Sequence, residues 1–498
     1  MKYLIGIDLG TSGTKTVLFD ECGTVIKSHT VEYPMSQPKN GWAEQDPLDW
    51  YNAVIKTLKA VTDGIDASKI AGIGISGQMH STVMLDKDNN VIRPAILWCD
   101  GRTAKECEEI TERVGKERLI EITANPALTG FSASKILWVR NNEPQNYAKC
   151  AHILLAKDYI RFRLTGVYAT DVSDASGMQL RDIKNKCWSD EVLHKLEIDK
   201  SMLAAVYESP DITGYTTKEI EALTGILQGT PVVGGAGDNA AAAVGTGVVE
   251  NGRAFTTIGT SGVVFAHTKD MHLDKEGRVH TFCAAVPGEW HVMGVTLSAG
   301  QSLKWFRDNF CAEETEQAKA DGVDTYYLMD NEAKDRPIGA NGLIFVPYLM
   351  GERTPHLDPD CRGAFVGISG MHTRADFIRA VMEGVIYSLR DCSEVLKEMG
   401  ISPTQMAACG GGAVSGLWRT MLSDVLDVNV CTMSSKEGPA LGAAILAGVG
   451  AGVYGSVQEA CQKVVKKVSV CEPDIKNHIQ YEKVYQMYKK IYPALKMI

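Results

Sequence analysis

A turn of small hydroxylated residues, Gly-Thr-Ser-Gly, occurs twice in this chain, at Gly10–Gly13 and again at Gly259–Gly262, half a chain apart. Each copy follows an apolar run, Tyr3–Ile7 or Phe255–Ile258, whose length and composition predict a strand. A strand that breaks into such a turn brings several backbone N–H groups to one point, which is how an anion cradle is built. Two cradles at matching points of two half-chains would grip one polyphosphate from both sides. Either turn taken alone also reads as an ordinary hairpin. The repetition after matching strands is what favours a duplicated nucleotide-binding fold. The first copy is not a P-loop, because Lys15 stands two residues after Gly13 and the Gly-Lys-Ser/Thr spacing is absent.

Two carboxylates sit where such cradles would use them. Asp8 ends the first strand just before its turn. Beside a bound phosphate it would be repelled unless a cation lay between, and hard oxygen ligands suit Mg²⁺. The alternative is a turn-capping Asp. Asp238 follows Gly234, Gly235 and Gly237 in GGAGDNAAAAVG, which reads as a strand end, a glycine turn open to close approach and a small-residue helix. An Asp at that point is a favoured N-cap. The same place would keep it ionised as a general base for a hydroxyl attacking a phosphoryl group. A third glycine turn, Gly410–Gly412, ends the apolar stretch Met406–Cys409 and opens a helix near Ser415. Alone it is a flexible turn; beside two cradles it is a wall for a nucleoside. Gln78, Met79 and His80 follow the run IAGIGISG, and Trp98, Asp100 and Arg102 follow its neighbour. Together they read as a polar pocket for a polyol, with a satisfied structural His as the plainer reading of His80.

The elements that must position these groups alternate. A strand–turn–strand opens the chain, apolar residues at Trp50, Val54, Leu58 and Val61 predict a helix, and IAGIGISG predicts a buried strand, so the class is α/β. Residues 101–230 read as mostly helical and polar, with loops around 123–133 and 171–177. Residues 376–399 form the clearest amphipathic helix, GPALGAAILAGVGAG reads as a close-packing small-residue helix, and the tail over 471–498 reads as a charged surface helix. A chain of 498 residues exceeds one core and suggests several domains, with a boundary near 248–254. A net charge of −10 argues against a nucleic-acid binder. Thirteen scattered cysteines without a C-x-x-C argue against a zinc ribbon, and they suit a reducing cytoplasm. No run is apolar enough for a signal peptide or membrane span.

GFSASKILWVRNN (130–142) and GAFVGISGMHTRADFIRAVME (363–383) match two signatures of the FGGY carbohydrate kinases, and the chain resembles that family, a branch of the actin-like ATPases, over nearly its whole length. GQMHS (77–81), LWCDGR (97–102), GGAGDNAAAAVG (234–245) and PYLMGERTPHLDPDCRGAFVGI (347–368) are most similar to its xylulokinase group. The resemblance implies two actin-like (RNase H-like) α/β domains around a central cleft, residues 1–248 on the sugar and phosphate side and 249–498 on the adenosine side. It implies ATP and Mg²⁺ as cofactors, with Asp8 and Asp238 at the metal. Thr11, Ser12, Lys15, Gly259, Thr260 and Gly300 fall to the phosphates, and Gly411 and Ser415 to the adenosine. Met79, His80, Asp238, Asn239, Trp98, Asp100 and Arg102 fall to the sugar, with Asp238 as base. A small-molecule sugar is the implied partner, without nucleic acid or membrane, and a homodimer is the assembly to test. Ser81 and Cys99 depart from the family's usual Gly and Asn, which bears on the choice of sugar. Other FGGY sugars such as ribulose or gluconate, a non-kinase actin-like ATPase and a sugar sensor are the alternatives.

Overall fold

Both Gly-Thr-Ser-Gly turns join antiparallel strands in the computed structural model, which describes residues 1–435 and 437–496. The expected tail helix and second domain run on to Met497 and Ile498, which lie outside the described residues. Tyr3–Leu9 pairs with Gly13–Asp20, and Arg253–Ile258 pairs with Gly262–Thr268. Each hairpin grows in the same way. A third antiparallel strand lies on one side, Val25–Glu32 or Trp290–Thr296. On the other side a parallel strand follows, Ile70–Gly77 or Gln405–Cys409, then a second parallel strand, Pro231–Val233 or Asn429–Met433, then an antiparallel edge, Ile212–Tyr215 or Lys467–Cys471. The repeated turn is thus one visible part of a six-stranded order shared by two seven-stranded sheets.

The helices follow local signals. Pro47–Thr62 starts where the Asp46 carboxylate accepts the Leu48 N–H and Pro47 fills the first helical position. Its Trp50, Val54, Leu58 and Val61 enter one core with Ile5, Ile7 and Ile73 of the first sheet. Arg374–Glu398 starts on a capping box between Thr373 and Asp376. Its sequence is amphipathic, yet it is buried nearly all round. The second sheet and the helices Gly300–Phe310, Thr325–Ala333 and Gly416–Leu426 cover most of it, and the tail helix Ile475–Tyr488 adds Tyr481, Tyr485 and Tyr488, turned inward onto it. The Tyr481 hydroxyl accepts from Arg379, which also pairs with Glu383 at 2.6 Å. The tail is a surface helix on one face only.

Two further expectations give way. Residues 101–230 carry short strands as well as helices, and the stretch expected as a loop at 171–177 is a buried helical turn, Val172–Ala175, continued by Ser176–Met178. The Asp171 carboxylate caps it by accepting the Ser173 and Asp174 N–H groups, and Lys157 answers its charge. That pairing is invisible in the local sequence.

The helix Gly438–Gly450 belongs to the second half of the chain but packs on the first sheet, against Tyr3–Leu9, Ile70–Gly77 and the helix Asp238–Gly245. Its Leu441 and Ile445 share a core with Leu4, Val17 and Phe19. The contact is backbone against backbone: a Cβ at Gly442 would lie 1.9 Å from the Ala241 carbonyl oxygen, and one at Gly74 would lie 1.9 Å from that of Ala443. No described helix is long and apolar enough to cross a membrane.

Gly442→Val is therefore expected to lower the unfolding free energy by about 3 kcal/mol in a urea titration. Gly370→Ala, where a Cβ meets nothing within 4 Å, should stay within about 0.5 kcal/mol of the parent. Equal effects at the two positions would remove the close contact from the account.

Candidate functional site

Asp8 lies next to last in its strand, with Lys15 opposite it in the antiparallel register and Ser76 beside it in the parallel one. Burial, then the charge of Asp238, pushes its carboxyl up to about 7, while Lys15 opposes the shift and Glu437 adds to it. Asp238 is the first residue of its helix; Gly237 holds the cap position and Asp238 makes no N-cap bond. Its Oδ1 accepts the backbone N–H of Asn239 at 2.6 Å and the Asn239 amide at 2.9 Å. Burial raises Asp238 to about 6 despite those two bonds. Lys15 Nζ reaches Glu437 Oε1 at 2.7 Å, so the charges of the site come from the first strand pair and from the starts of two helices.

The first cradle is tied to the strand ends beside it. Gly10 N–H donates to the Gly13 carbonyl at 3.0 Å, Trp98 Nε1 donates to Thr11 Oγ1 at 3.0 Å, and Gln45 Nε2 donates to the Thr11 carbonyl at 2.7 Å. Ser12 is exposed. Met79 is buried where a Cβ on Gly237 would meet its Cγ at 2.9 Å, so it packs directly behind Asp238. His80 has a left-handed backbone, φ 66°, unusual for a residue with a side chain. Its carbonyl accepts from Lys135 Nζ at 2.9 Å and Ser132 Oγ at 3.1 Å, and its Nδ1 lies 2.9 Å from the Gly177 carbonyl. Burial, helped by the cations Lys135 and Arg353, lowers the imidazole to about 3, so the ring is neutral and Nδ1–H is the donor to Gly177. Burial also brings Lys135 down to about 7.

Asp100 and Arg102 are gathered elsewhere. Arg102 grips Asp100 with Nε and Nη2, reaches Glu44 at 2.6 Å, and lies 3.7 Å from the centre of the Trp42 ring. Asp100 also accepts the Ala43 N–H at 2.6 Å. Both groups face inward and brace the segment carrying Gln45. Of the two departures, Ser81 is fully buried and donates to Gln78 Oε1 at 3.2 Å, whereas Cys99 is exposed.

The second cradle opens onto a cavity of about 940 Å³ whose lining includes Gly259, Thr260, Gly300, Gly411 and Ser415, all five named from sequence. Gly300 N–H donates to the Gly259 carbonyl at 2.7 Å, locking the turn to the start of the helix Gly300–Phe310. Ser415 caps the helix Gly416–Leu426 by accepting the Trp418 N–H at 3.0 Å. The opposite wall is the helix Thr325–Ala333 with Tyr326, Tyr327, Asp330 and Asn331, and then Lys334. Sequence reading missed this wall; the paired tyrosines at 326 and 327 were its one signal. Among the described residues no three His, Cys, Asp or Glu side chains converge as a metal site. Asp8 and Asp238, the charge of one raising the other, offer hard oxygens that fit a divalent cation completed by water and phosphate oxygens.

A sequence model described as the FGGY family of carbohydrate kinases, N-terminal domain, matches residues 3–245, and its C-terminal counterpart matches residues 254–451. The chain is 40% identical over 498 residues to a xylulose kinase of Bacillus subtilis, covering 100% of this chain and 98% of that one. It is 34% identical over 447 residues to a gluconokinase of the same organism, covering 89% and 87%. It superposes with a TM-score of 0.93 on the crystal structure of a ligand-bound xylulose kinase from Lactobacillus acidophilus, at 29% identity, over 100% of this chain and 99% of that one. The repeated sheets are the two-domain actin-like ATPase fold of these kinases.

The raised carboxyl of Asp8 makes a signed prediction. Its folded-state pKa of about 7 stands above the ordinary 3.8, so the stability it allows is full below pH 3.8 and is lost as pH rises through 7. In metal-free buffer Asp8→Asn should melt several degrees above the parent at pH 8 and together with it near pH 3.5. A difference independent of pH would contradict the burial of this charge.

Proposed function

We propose, from the premise that the chain belongs to the FGGY family of carbohydrate kinases, that it transfers the γ-phosphoryl group of ATP to the terminal hydroxyl of a ketopentose, D-xylulose, giving D-xylulose 5-phosphate. The observation that carries the reading is the meeting of Asp238 and Asp8 beside Met79: two carboxylates from distant segments within electrostatic reach, one of them packed on the shell expected to hold the sugar. The choice of sugar follows the 40% identity to a xylulose kinase along the whole chain. We divide the chain at residue 248, with the sugar side before it and the adenosine side after it.

In this reading the adenosine lies in the 940 Å³ cavity between Gly411, Ser415 and the helix Thr325–Ala333. The phosphates run past Gly259, Thr260 and Gly300 toward Thr11, Ser12 and Lys15. Met79, His80, Asn239 and Trp98 bind the ketose, with the neutral His80 ring set as a polar contact rather than a charge. Asp238 accepts the proton of the O5 hydroxyl as O5 bonds to the γ-phosphorus. The bond from that phosphorus to the β–γ bridging oxygen breaks, and its electron pair leaves with ADP. Asp8 and Asp238 would hold Mg²⁺, which when bound offsets the charge on the phosphate oxygens. Asp100 and Arg102 support this shell from behind through Gln45 and Trp42.

A sugar acid is the second reading. Arg353 is a cation near enough to His80 and His280 to lower both, and its guanidinium makes no hydrogen bond or ion pair with the described residues. Such a group would suit a substrate carboxylate, and the gluconokinase relative keeps the reading specific.

ADP release with ATP and Mg²⁺ should be greatest with D-xylulose in a panel with L-xylulose, D- and L-ribulose, gluconate and glycerol. Asp238→Asn should cut kcat by roughly 10²–10⁴-fold. Preference for gluconate would move the substrate and leave the mechanism standing; no sugar-stimulated turnover would end the kinase reading. In the same assay Gly177→Ala, whose methyl would lie 2.3 Å from His80 Nδ1, should raise the sugar KM on the order of tenfold and spare the KM for ATP.

A further inference from the structure

Behind the turn that carries Asp238 lies a buried set of charges that the reaction itself does not use. The turn leaves the strand Pro231–Val233, passes Gly234 and Gly235, runs as Ala236–Gly237 beside Ser76–Gly77, and delivers Asp238. Gly235 holds φ 72° with its would-be Cβ 2.0 Å from the Ile75 carbonyl oxygen, so the path is narrow. The helix Ala156–Thr165 supplies Lys157, whose side chain is 1% exposed. Its Nζ lies 2.6 Å from Asp158, 2.8 Å from Asp171 and 3.3 Å from the Gly234 carbonyl. Asp171 Oδ2 accepts from the Ser173 N–H at 2.8 Å, the Ser173 hydroxyl at 2.5 Å and the Ser209 hydroxyl at 2.8 Å. The Ser173 oxygen in turn accepts the Gly237 N–H at 3.2 Å, one residue before Asp238. The Gly235 N–H donates to the Ser209 carbonyl at 3.0 Å. One network therefore grips the turn at both ends, at the Gly234 carbonyl and at the Gly237 N–H.

Stability alone is a poor reason for this arrangement. A lysine among three aspartates with almost no solvent pays heavy desolvation, and apolar packing often does as well. Geometry is a better one, because a misplacement of about 1 Å at a reacting group costs on the order of a hundredfold in rate. We propose that Ser173 is a positioning residue for Asp238, held to that task by Asp171 and Lys157. The inference rests on Asp238 being the base.

The test is steady-state kinetics on full-length Ser173→Ala, which removes one hydroxyl and leaves the other bonds of Asp171 intact. The expected result is a kcat lower by about 10- to 100-fold on the preferred sugar, with both KM values within about threefold and the melting temperature within a few degrees. Asp171→Asn, which keeps the shape and cuts the ionic tie to Lys157, should give the same split and serves if the first variant folds poorly. Wild-type kcat in Ser173→Ala beside an inactive Asp238→Asn overturns the positioning role alone. An active Asp238→Asn overturns the base reading beneath it. A loss of kcat accompanied by raised KM values and a lowered melting temperature marks Ser173 as structural and overturns the proposal.

Discussion

The contact between the helix Gly438–Gly450 and the first sheet is the constraint on which the rest depends. Residues late in the second half touch strands of the first with nothing between but hydrogen, at Gly74 and Ala443, and touch the helix Asp238–Gly245 at Gly442 and Ala241. That approach sets where both helices begin. One begins with Asp238, and the other follows Glu437, the partner of Lys15. Asp8 lies on a strand against which the second helix is pressed. Four charges from four segments thus meet because three backbones cannot separate by a side chain's width without opening a gap that small residues cannot fill.

The site built on that contact holds buried charges and a strained backbone close together. Asp8 and Asp238 are each raised by burial, and the charge of Asp238 raises Asp8 further. His80 keeps a left-handed backbone because Lys135, Ser132 and Gly177 hold it there, and Lys135 does so while burial weakens its own charge. Such strain persists only where neighbours over-determine the conformation, and here it gathers around one small volume. A cation between the carboxylates and a polyol against the neutral imidazole are the two additions that would relax it.

Much of this was legible because the signals are local. The twin turns, the strand Ile70–Gly77, the helix Pro47–Thr62 and the cavity residues Gly259, Thr260, Gly411 and Ser415 follow from short-range composition and spacing, while Gly300 came from the family resemblance. What escaped was set by partners far away in sequence. The wall at Tyr326, Tyr327 and Asp330 becomes a wall only when Gly411 and Ser415 face it. The turn at 171–177 is ordered by a lysine on another helix, and Arg374–Glu398 is covered nearly all round by a sheet, three helices and tyrosines about a hundred residues on. Asp100 and Arg102 read as open polar groups because Trp42 and Glu44, which enclose them, are some sixty residues upstream. Ser81 looked like a determinant of sugar choice, but its hydroxyl is directed to Gln78, which leaves Cys99 as the departure with access to solvent.

The repeat itself argues for a division of labour. In the first copy the residue two before the turn is Asp8 and the residue two after it is Lys15; in the second copy the same places hold Thr257 and Val264. Sheet order and strand direction are kept while the charges are not. Duplication supplies two backbone cradles, and a backbone cradle binds an anion without choosing which bond will break. In the proposed reading, the carboxylate and the ammonium carried by one cradle only mark the end of the phosphate chain at which transfer occurs. In the same reading the neutral copy, with Val264 buried in its sheet and the cavity at its mouth, holds the end that does not react.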